Sequence, residues 1–244
     1  MSSKNTAAMD MNAASSLARP YFMVLLLVGV AGAMDAVDFR EYGVFTANQA
    51  GNLVFVWERL LSDVPGALLS LLSLVGCAAG VALVIVVRFR FPYFVGPSGS
   101  RALLYVAAAL LIVTALVSPP AALSSGDLVM GTRSWWLASA SLISSAMALA
   151  VMGTIFIMVG VNKAQVIAGT GPFIDTVRYL VASIFDRDGD WVAKLKEIFW
   201  FPFSWTLGAA IGSFMPGGRV VVAGLGAVII CVIAISSRRV SPPS

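Results

Sequence analysis

The sequence has no histidine, only two cysteines and few charged residues. Lys, Arg, Asp and Glu make up 11% of its 244 residues, whereas a soluble domain has about 25%. Without histidine, histidine-based acid or base catalysis and the usual histidine-containing metal sites are excluded. Cys77 and Cys231 both lie inside apolar runs, which is typical of buried thiols and not of a disulfide framework or a metal site. We therefore expect no metal and no cofactor.

Apolar sequence is what the chain has in abundance. Hydrophobic residues make up 59% of it and its mean hydropathy is +0.91, which together indicate an integral membrane protein. The net charge of +4 does not indicate nucleic-acid binding, because the basic residues flank the apolar runs, as topology signals do. We expect the lipid bilayer as a partner and no nucleic acid.

Six apolar runs approach or exceed the roughly 17–25 residues that a membrane-spanning helix needs. They cover residues 21–37, 66–87, 102–117, 137–161, 198–215 and 220–236. Two further apolar segments, 43–57 and 165–185, are short or interrupted by glycine, proline and charged residues. We predict an all-α integral membrane protein with about six transmembrane helices and two short, broken or re-entrant helical segments.

The distribution of Lys and Arg favours six crossings with both termini in the cytoplasm. If neither interrupted segment crosses, twelve of the 16 basic residues lie inside and four outside, a strong positive-inside bias. The four are Arg40, Arg59, Arg133 and Arg219. If both segments cross, nine lie inside and six outside, with Arg178 within a span. An eight-span arrangement stays open, and the sequence does not indicate which cellular membrane holds the protein.

Each half of the chain then reads span, re-entrant segment, span, span. Because each half makes three crossings, the second half is inverted relative to the first, an architecture common among secondary transporters. We predict a disordered cytoplasmic tail at 1–19, a single transmembrane domain at 20–236 and a short basic tail at 237–244. The two repeats within the domain cover 20–118 and 134–236.

Polar residues interrupt the first half where lipid is expected. Asp35 stands near the end of the first run, and the following segment contains Asn48, Gln49, Gly51 and Asn52. One interpretation is that Asp35 is simply solvated at the interface. The other is that it faces a polar cavity lined by the amides, since irregular backbone at membrane depth must be buried in protein or line water. In the second case these five residues bind a substrate or a coupling ion.

A counterpart follows the fourth span. Asn162 comes just after that run, and Thr170 and Gly171 begin the stretch TGPFIDTVR, which breaks the next apolar segment. We assign Asn162, Thr170 and Gly171 to the same hypothetical substrate or ion site. Asp175 and Arg178 are three residues apart and hence neighbours on a helix face. They form a candidate ion pair, which would neutralise itself if it lay at the interface.

The stretch MDAVDF, followed by GVFTANQAGN, resembles the signature of the YoaK-like family of multi-pass transmembrane proteins (domain of unknown function 1275). The matching positions are Asp35, Ala36, Phe39, Gly43, Phe45, Asn48, Gly51 and Asn52. Ala50 stands where the family usually has threonine. In the family's second half an asparagine and a later Thr-Gly pair repeat the element, as Asn162, Thr170 and Gly171 do here with a shorter spacing. The resemblance implies a multi-pass membrane protein with transport as its suggested activity, and it supplies no substrate.

Functions from three classes can be compared. A secondary transporter or permease for a small polar or organic solute is favoured by the inverted halves, the broken segments and Asp35. A non-transporting scaffold or accessory subunit is the alternative, favoured by the small size and by small-xxx-small spacings, which would also allow a homo-oligomer. An enzyme is not expected, because the chain lacks histidine, a nucleophile elbow and a phosphate-binding motif. For a transporter, Asp38 lies nearer the water than Asp35, so Asp35→Asn should abolish transport and Asp38→Asn should keep most of it.

Overall fold

The computed structural model describes residues 3–91, 97–119, 129–158, 170–185, 190–215 and 218–236. Within these residues the chain forms eight helices and no strand. In chain order they are α1 (Ser3–Tyr42), α2 (Gln49–Arg59), α3 (Val64–Arg90), α4 (Pro97–Val117), α5 (Arg133–Met158), α6 (Thr170–Phe185), α7 (Trp191–Phe214) and α8 (Gly218–Ser236). The predicted basic tail, 237–244, lies outside the described residues. The protein is an all-α, multi-pass membrane protein, as its composition predicts.

Five helices contain a segment long and apolar enough to cross a membrane. The segments are Phe22–Tyr42, Val64–Val87, Ser100–Val117, Arg133–Ile155 and Gly218–Ser236. Each of them overlaps one of the six predicted runs. The sixth run, 198–215, coincides with the last part of α7, which has 24 residues but is not among the five. The short helices α2 and α6, with 11 and 16 residues, occupy the two interrupted segments.

α1 is longer than the first apolar run at both ends. Residues 3–19, predicted to be a disordered tail, belong to α1 in the structure. They include several alanines, the strongest helix formers, and no glycine, so they can extend the helix that the span begins. At the other end α1 continues past Val37 and stops before Gly43, whose φ is +65°. The Gly43 N–H donates to the Phe39 carbonyl oxygen over 2.8 Å, the usual glycine stop.

Small residues bring α1 and α7 into backbone contact. A Cβ added to Gly212 would lie 2.5 Å from the carbonyl oxygen of Ala33, and Gly208 faces the backbone of Gly29 in the same way. The contact therefore advances along both helices in the same direction, and α1 runs parallel to α7. These are small-xxx-small spacings used for close helix packing, as expected from the sequence.

α3 and α5 form a second pair of the same kind. A Cβ added to Gly76 would lie 2.6 Å from the carbonyl oxygen of Ile143, and one added to Gly80 would lie 2.5 Å from that of Met147. The residue numbers again rise together, so α3 runs parallel to α5. No side chain could move to relieve such a contact, because the obstructing oxygens belong to the backbone.

The other main contacts are antiparallel. Between α4 and α5, the hydroxyls of Thr114 and Ser144 are 2.7 Å apart and those of Ser118 and Ser141 are 3.3 Å apart. Residue numbers therefore rise along α4 where they fall along α5, so the two helices are antiparallel. The same holds for α1 and α8, where Gly226 faces Val30 and the Arg219 N–H donates to Glu41 near the end of α1.

One end of the bundle collects the end of α1 and the starts of α3, α5 and α8. Tyr42, Leu69 and Trp135, which come from the first three of these, share one buried cluster. Arg219, at the start of α8, reaches Ser145 of α5. We call this the Arg219 end. It follows that α1, α4 and α7 run toward the Arg219 end, whereas α3, α5 and α8 run away from it.

α2 and α6 lie at opposite ends of the bundle. α2 follows the end of α1, and its Asn52 donates to Ser73 in the first part of α3 over 3.1 Å. α6 precedes α7, and the ring of Tyr179 stacks on that of Trp191 at the start of α7, with the centroids 6.1 Å apart. In this arrangement six helices cross the bundle and neither short helix does.

The surface is apolar and the interior is partly polar, the reverse of a soluble protein. Phe89, Leu116 and Phe214 are 87%, 78% and 87% exposed, which suits lipid and not water. α2 follows the same rule, since Trp57 is 74% exposed and Asn52 is completely buried. Polar groups in this protein are therefore concentrated between the helices, and the densest group lies at the Arg219 end.

Candidate functional site

Asp35 fastens the non-helical connector between α1 and α2. Its side chain is 4% exposed. Oδ1 accepts hydrogen bonds from the backbone N–H groups of Thr46 (2.8 Å) and Ala47 (2.6 Å), and Oδ2 accepts one from Asn48 (3.0 Å). These N–H groups precede α2 and have no helical acceptor, so the carboxylate takes the role of a cap. Asp35 is not a solvated helix end, which was one of its two interpretations.

The amides of α2 bond to the same connector and to α3. Asn52 donates through Nδ2 to the Phe45 carbonyl oxygen (2.6 Å) and accepts the Phe45 N–H through Oδ1 (3.0 Å). Gln49 donates to the Thr46 carbonyl oxygen over 2.8 Å. Ser73 of α3 donates to the Phe45 carbonyl oxygen over 2.7 Å. These side chains replace the hydrogen bonds that the backbone of the connector lacks.

Asp38 forms a buried ion pair with Arg219. Asp38 is completely buried and Arg219 is 1% exposed. Asp38 Oδ1 and Arg219 Nε are 2.8 Å apart, yet the two atoms are not aligned as a hydrogen bond. The other oxygen of Asp38 accepts the Thr46 hydroxyl over 2.6 Å. A buried ion pair compensates for lost hydration only when its geometry is good, so this pair is held with little net gain.

The rest of the Arg219 guanidinium is only partly satisfied. Nη2 donates to the Ser145 hydroxyl over 3.0 Å, and the guanidinium carbon lies 4.9 Å above the centre of the Tyr42 ring. Nη1 makes no well-aligned hydrogen bond among the described residues, although the Tyr42 side chain also interacts with the guanidinium. The indole N–H of Trp135, which shares a cluster with Tyr42, has no acceptor there either. Buried donors without acceptors are rare in folded proteins and call for an explanation. We name Asp35, Asp38, Tyr42, Thr46 and Arg219 the Arg219 junction.

Two charged residues connect the junction to the surface. Glu41 accepts the backbone N–H of Arg219 over 3.3 Å. Arg40, whose side chain is 43% exposed, lies 3.6 Å from the Glu41 carboxylate and donates to the Ser213 carbonyl oxygen at the end of α7 over 2.6 Å. α1 thus ends in a series of charges that leads from the buried pair outward.

Aromatic rings cover the lipid side of the connector. The rings of Phe39 and Phe45 stack with centroids 4.7 Å apart, and Phe55 of α2 lies 5.9 Å from Phe45. The guanidinium of Arg59 lies 4.4 Å above the Phe55 ring. A Cβ added to Gly51 would lie 2.8 Å from a carbon of the Phe45 ring. Gly51 therefore makes room for this stack. Because glycine has no side chain, it adds no polar group to the connector.

The structure brings the predicted first-half residues together, with different roles. Asp35, Gln49 and Asn52 hold the connector, Asn48 contributes a backbone N–H to Asp35, and Gly51 admits the aromatic ring. The polar groups of Gln49 and Asn52 point into hydrogen bonds with protein atoms. The prediction that they line a cavity stays untested.

The predicted second-half residues that the structure describes lie away from the junction. Asn162 lies outside the described residues, and Thr170 and Gly171 begin α6, at the other end of the bundle. Asp175 and Arg178 lie in α6 with described side chains, and no ion pair joins them. Arg178 instead lies 5.9 Å from the centre of the Tyr179 ring.

The sequence reasoning missed Arg219 and misplaced Asp38. Asp38 follows the apolar run that stops at Val37, so it was assigned to the aqueous side. In the structure α1 continues, and Asp38 lies in the helix with its side chain turned inward. Arg219 was counted as a topology signal flanking the last span. The sequence shows an acidic residue beside the first span and a basic residue beside the last, but many charged residues flank spans. Nothing in the sequence therefore indicates that Asp38 and Arg219 form a pair.

No metal site is placed among the described side chains. No group of three or more Cys, Asp or Glu residues in that part of the chain could hold a metal ion. A separate cavity of about 220 Å³ lies between α1, α7 and α8. Its lining includes Gly29, Leu207 and Val222, and the hydroxyl of Ser204 in its wall donates to the Leu25 carbonyl oxygen. This cavity offers a polar solute little to bind.

Comparison with known proteins identifies a family and no function. The model of the family DUF1275, described as a protein of unknown function, matches residues 23–236. This range includes the whole junction and all of the helical bundle except the first part of α1. No curated protein and no solved structure matches the chain. The family expected from the MDAVDF and GVFTANQAGN stretches is confirmed: this multi-pass helical membrane protein belongs to the DUF1275 family, whose function is unknown.

Proposed function

We propose that the protein is a secondary transporter or permease for a small polar or organic solute. The observation that carries the proposal is the ion pair of Asp38 and Arg219, buried between membrane-spanning helices beside Asp35. Charged side chains inside a membrane domain are costly and generally mark a substrate pathway, an ion pathway or a proton relay. Helices that only pack against each other need none of these three residues.

The helix contacts support two inverted repeats, 20–118 and 134–236. If α1 is exchanged with α5, α2 with α6, α3 with α7 and α4 with α8, every main contact reappears. The parallel pair α1–α7 becomes the parallel pair α5–α3, α2–α3 becomes α6–α7, and the antiparallel pair α4–α5 becomes α8–α1, while α4–α8 is unchanged. The same exchange moves α2 at one end to α6 at the other. Inverted repeats of this kind allow a transporter to open to either side of the membrane.

The basic residues support an orientation. The Arg219 end holds Arg40, Arg59, Arg133 and Arg219. The other end holds, among residues with described side chains, Arg90, Arg101, Arg178, Lys194 and Lys196. With six crossings the full sequence divides its basic residues twelve to four, and the Arg219 end is the one with four. Because basic residues are in excess on the cytoplasmic side of membrane proteins, we place the Arg219 end outside and both chain termini in the cytoplasm.

A non-transporting scaffold is the second candidate, and one observation favours it. The amides of Gln49 and Asn52 are bonded to protein atoms, as in a rigid packed element. The backbone contacts of α1 with α7 and of α3 with α5 would suit a scaffold equally well. Catalysis is not part of the proposal, although the experiment below would reveal it.

Flux measurements in proteoliposomes test the proposal. Purified protein is reconstituted, and uptake is measured for a set of radiolabelled neutral, cationic and anionic solutes against empty liposomes. The matched control is the double variant Asp38→Asn with Arg219→Gln, which removes both charges and leaves the site neutral. We expect saturable uptake of at least one solute by the parent protein and much less by the double variant. Absence of flux for every solute would contradict the proposal and favour the scaffold, whereas conversion of a solute without net uptake would indicate an enzyme.

A further inference from the structure

Arg219 has a buried donor without an aligned acceptor at the centre of the junction. Nε faces Asp38 and Nη2 donates to Ser145, but Nη1 has no aligned acceptor among the described residues. The guanidinium is nevertheless 1% exposed, so it is shielded from the surrounding solvent. A guanidinium offers its N–H groups as a planar fork that matches a carboxylate or a phosphate. Of these two, a carboxylate carries the single charge that one proton can balance.

The charge balance of the junction restricts how such a ligand can enter. Asp38 and Arg219 together are neutral. A carboxylate bound at Arg219 while Asp38 stays ionised would add a net negative charge to a buried site, which is strongly unfavourable. If one proton binds Asp38 Oδ1 as the carboxylate arrives, the net charge of the junction does not change: the pair Asp38⁻–Arg219⁺ is replaced by protonated Asp38 and the pair Arg219⁺–carboxylate. One proton is thereby taken up with each monoanion.

We propose that Arg219 binds a small monocarboxylate in exchange for Asp38, and that Asp38 carries one proton with it, so that the transport is electroneutral. This inference rests on the proposed function and specifies its solute class. Asp38 is suited to the exchange, because its Oδ1 is close to Arg219 without hydrogen-bond alignment, while its Oδ2 keeps the Thr46 hydroxyl in either state.

The other charged and titratable groups around Asp38 are compatible with this exchange. On α1 they are Asp35, Arg40, Glu41 and Tyr42. Asp35 is satisfied by backbone N–H groups, Glu41 by Arg40 and by the N–H of Arg219, and Tyr42 lies beneath the guanidinium. α5 contributes the hydroxyl of Ser145 and no charge, and α8 contributes Arg219 alone. Asp38 is therefore the carboxylate placed to exchange with a ligand of Arg219.

Binding measurements on the parent protein are the first test. Lactate, pyruvate and benzoate are each compared with the neutral amide of the same acid, using thermal stabilisation of the purified protein in detergent. We expect at least one acid to stabilise the protein, increasingly as the pH falls, and its amide to have no effect. Equal effects of acid and amide, or no effect of any of the three acids, would overturn the inference.

Flux measurements are the second test. A pH gradient, acidic on the side of the labelled acid, should drive its uptake with the membrane potential held at zero, and a membrane potential alone should not. Uptake driven by the potential alone would overturn the inference. So would a transport activity confined to neutral or cationic solutes, although the proposed function would then stand. Only the absence of flux for every solute would contradict both the proposed function and this inference.

Asp38→Asn gives a signature that a structural role would not produce. The amide resembles protonated Asp38, so Arg219 is permanently released to the ligand. We expect acid binding to become on the order of tenfold tighter and independent of pH, with uptake driven by a pH gradient lost and exchange of internal for external acid retained. Adding Arg219→Gln should abolish acid binding in a folded protein. Loss of binding in Asp38→Asn alone, in protein as folded as the double variant, would contradict the proposed exchange.

Discussion

The glycine contacts between helices give a prediction whose size follows from the distances. Gly76→Ala adds a Cβ 2.6 Å from the backbone oxygen of Ile143, whereas ordinary contacts begin at 3.4 Å. α3 and α5 would have to separate by about 0.8 Å, the difference between the two. Overpacking costs about 1–3 kcal/mol, and a clash with backbone belongs at the upper limit. Alanine returns up to about 1 kcal/mol of helix propensity, so the net loss of stability should be about 2 kcal/mol.

Gly224→Ala is the matched control, because nothing lies within 4 Å of a Cβ at that position of α8. It should gain up to about 1 kcal/mol through helix propensity. Gly212→Ala, whose Cβ would meet the Ala33 oxygen at 2.5 Å, should lose as much as Gly76→Ala if the two helix pairs are equivalent. Unfolding of each variant by SDS in mixed micelles measures these differences. Equal stability of Gly76→Ala and Gly224→Ala would refute the backbone contact.

Two further predictions concern topology and the connector. In protein lacking the native cysteines, Leu61→Cys at the Arg219 end should react with an impermeant thiol reagent from outside intact cells, and Asp190→Cys should react only after permeabilisation. This is expected because we propose, from the excess of basic residues, that the end holding Asp190 faces the cytoplasm; the opposite pattern would reverse the orientation. Asp35→Ala should speed hydrogen exchange at the backbone amides of Thr46 and Ala47 about 10–100-fold, since a hydrogen bond to a charged group is worth about 1.5–3 kcal/mol; unchanged exchange would mean that Asp35 does not hold the connector.

The membrane-spanning helices could be predicted because their signal is local. Each run reports its own burial in lipid through its composition and length, and five of the six predicted runs coincide with apolar helices of the structure. The end of α1 could not be placed in the same way. The apolar run stops at Val37, but a helix ends where its backbone turns, and Gly43 provides that turn. Asp38, the first residue after the run, is therefore expected nearer the water than the structure places it, since it is completely buried.

The candidate site was predicted in part, because polarity alone does not reveal a partner. Asp35, Gln49 and Asn52 come together beside the first span, and their binding of a solute or ion stays a prediction. Their partners are backbone groups of the connector and Ser73, so these residues hold the site together. The contact between Asp38 and Arg219 joins the first and last helices, and no local pattern encodes such a pairing. The structure thus transfers our expectation of a transport defect from Asp35→Asn to Asp38→Asn, which the uptake of the two variants at matched expression would decide.

The most direct test of transport through the junction is whether it opens to water. Ser145→Cys places a thiol at the hydroxyl that accepts from Arg219, in protein lacking Cys77 and Cys231. Ala148→Cys is the control, since Ala148 is equally buried in the apolar core of the same helix. If the protein is a transporter that alternates between two openings, Ser145→Cys should react with a small, membrane-impermeant thiol reagent in the reconstituted membrane, at a rate that a transported solute changes, while Ala148→Cys stays protected. Complete protection of both cysteines in the presence and absence of every solute would contradict this account and identify the junction as a static part of a scaffold.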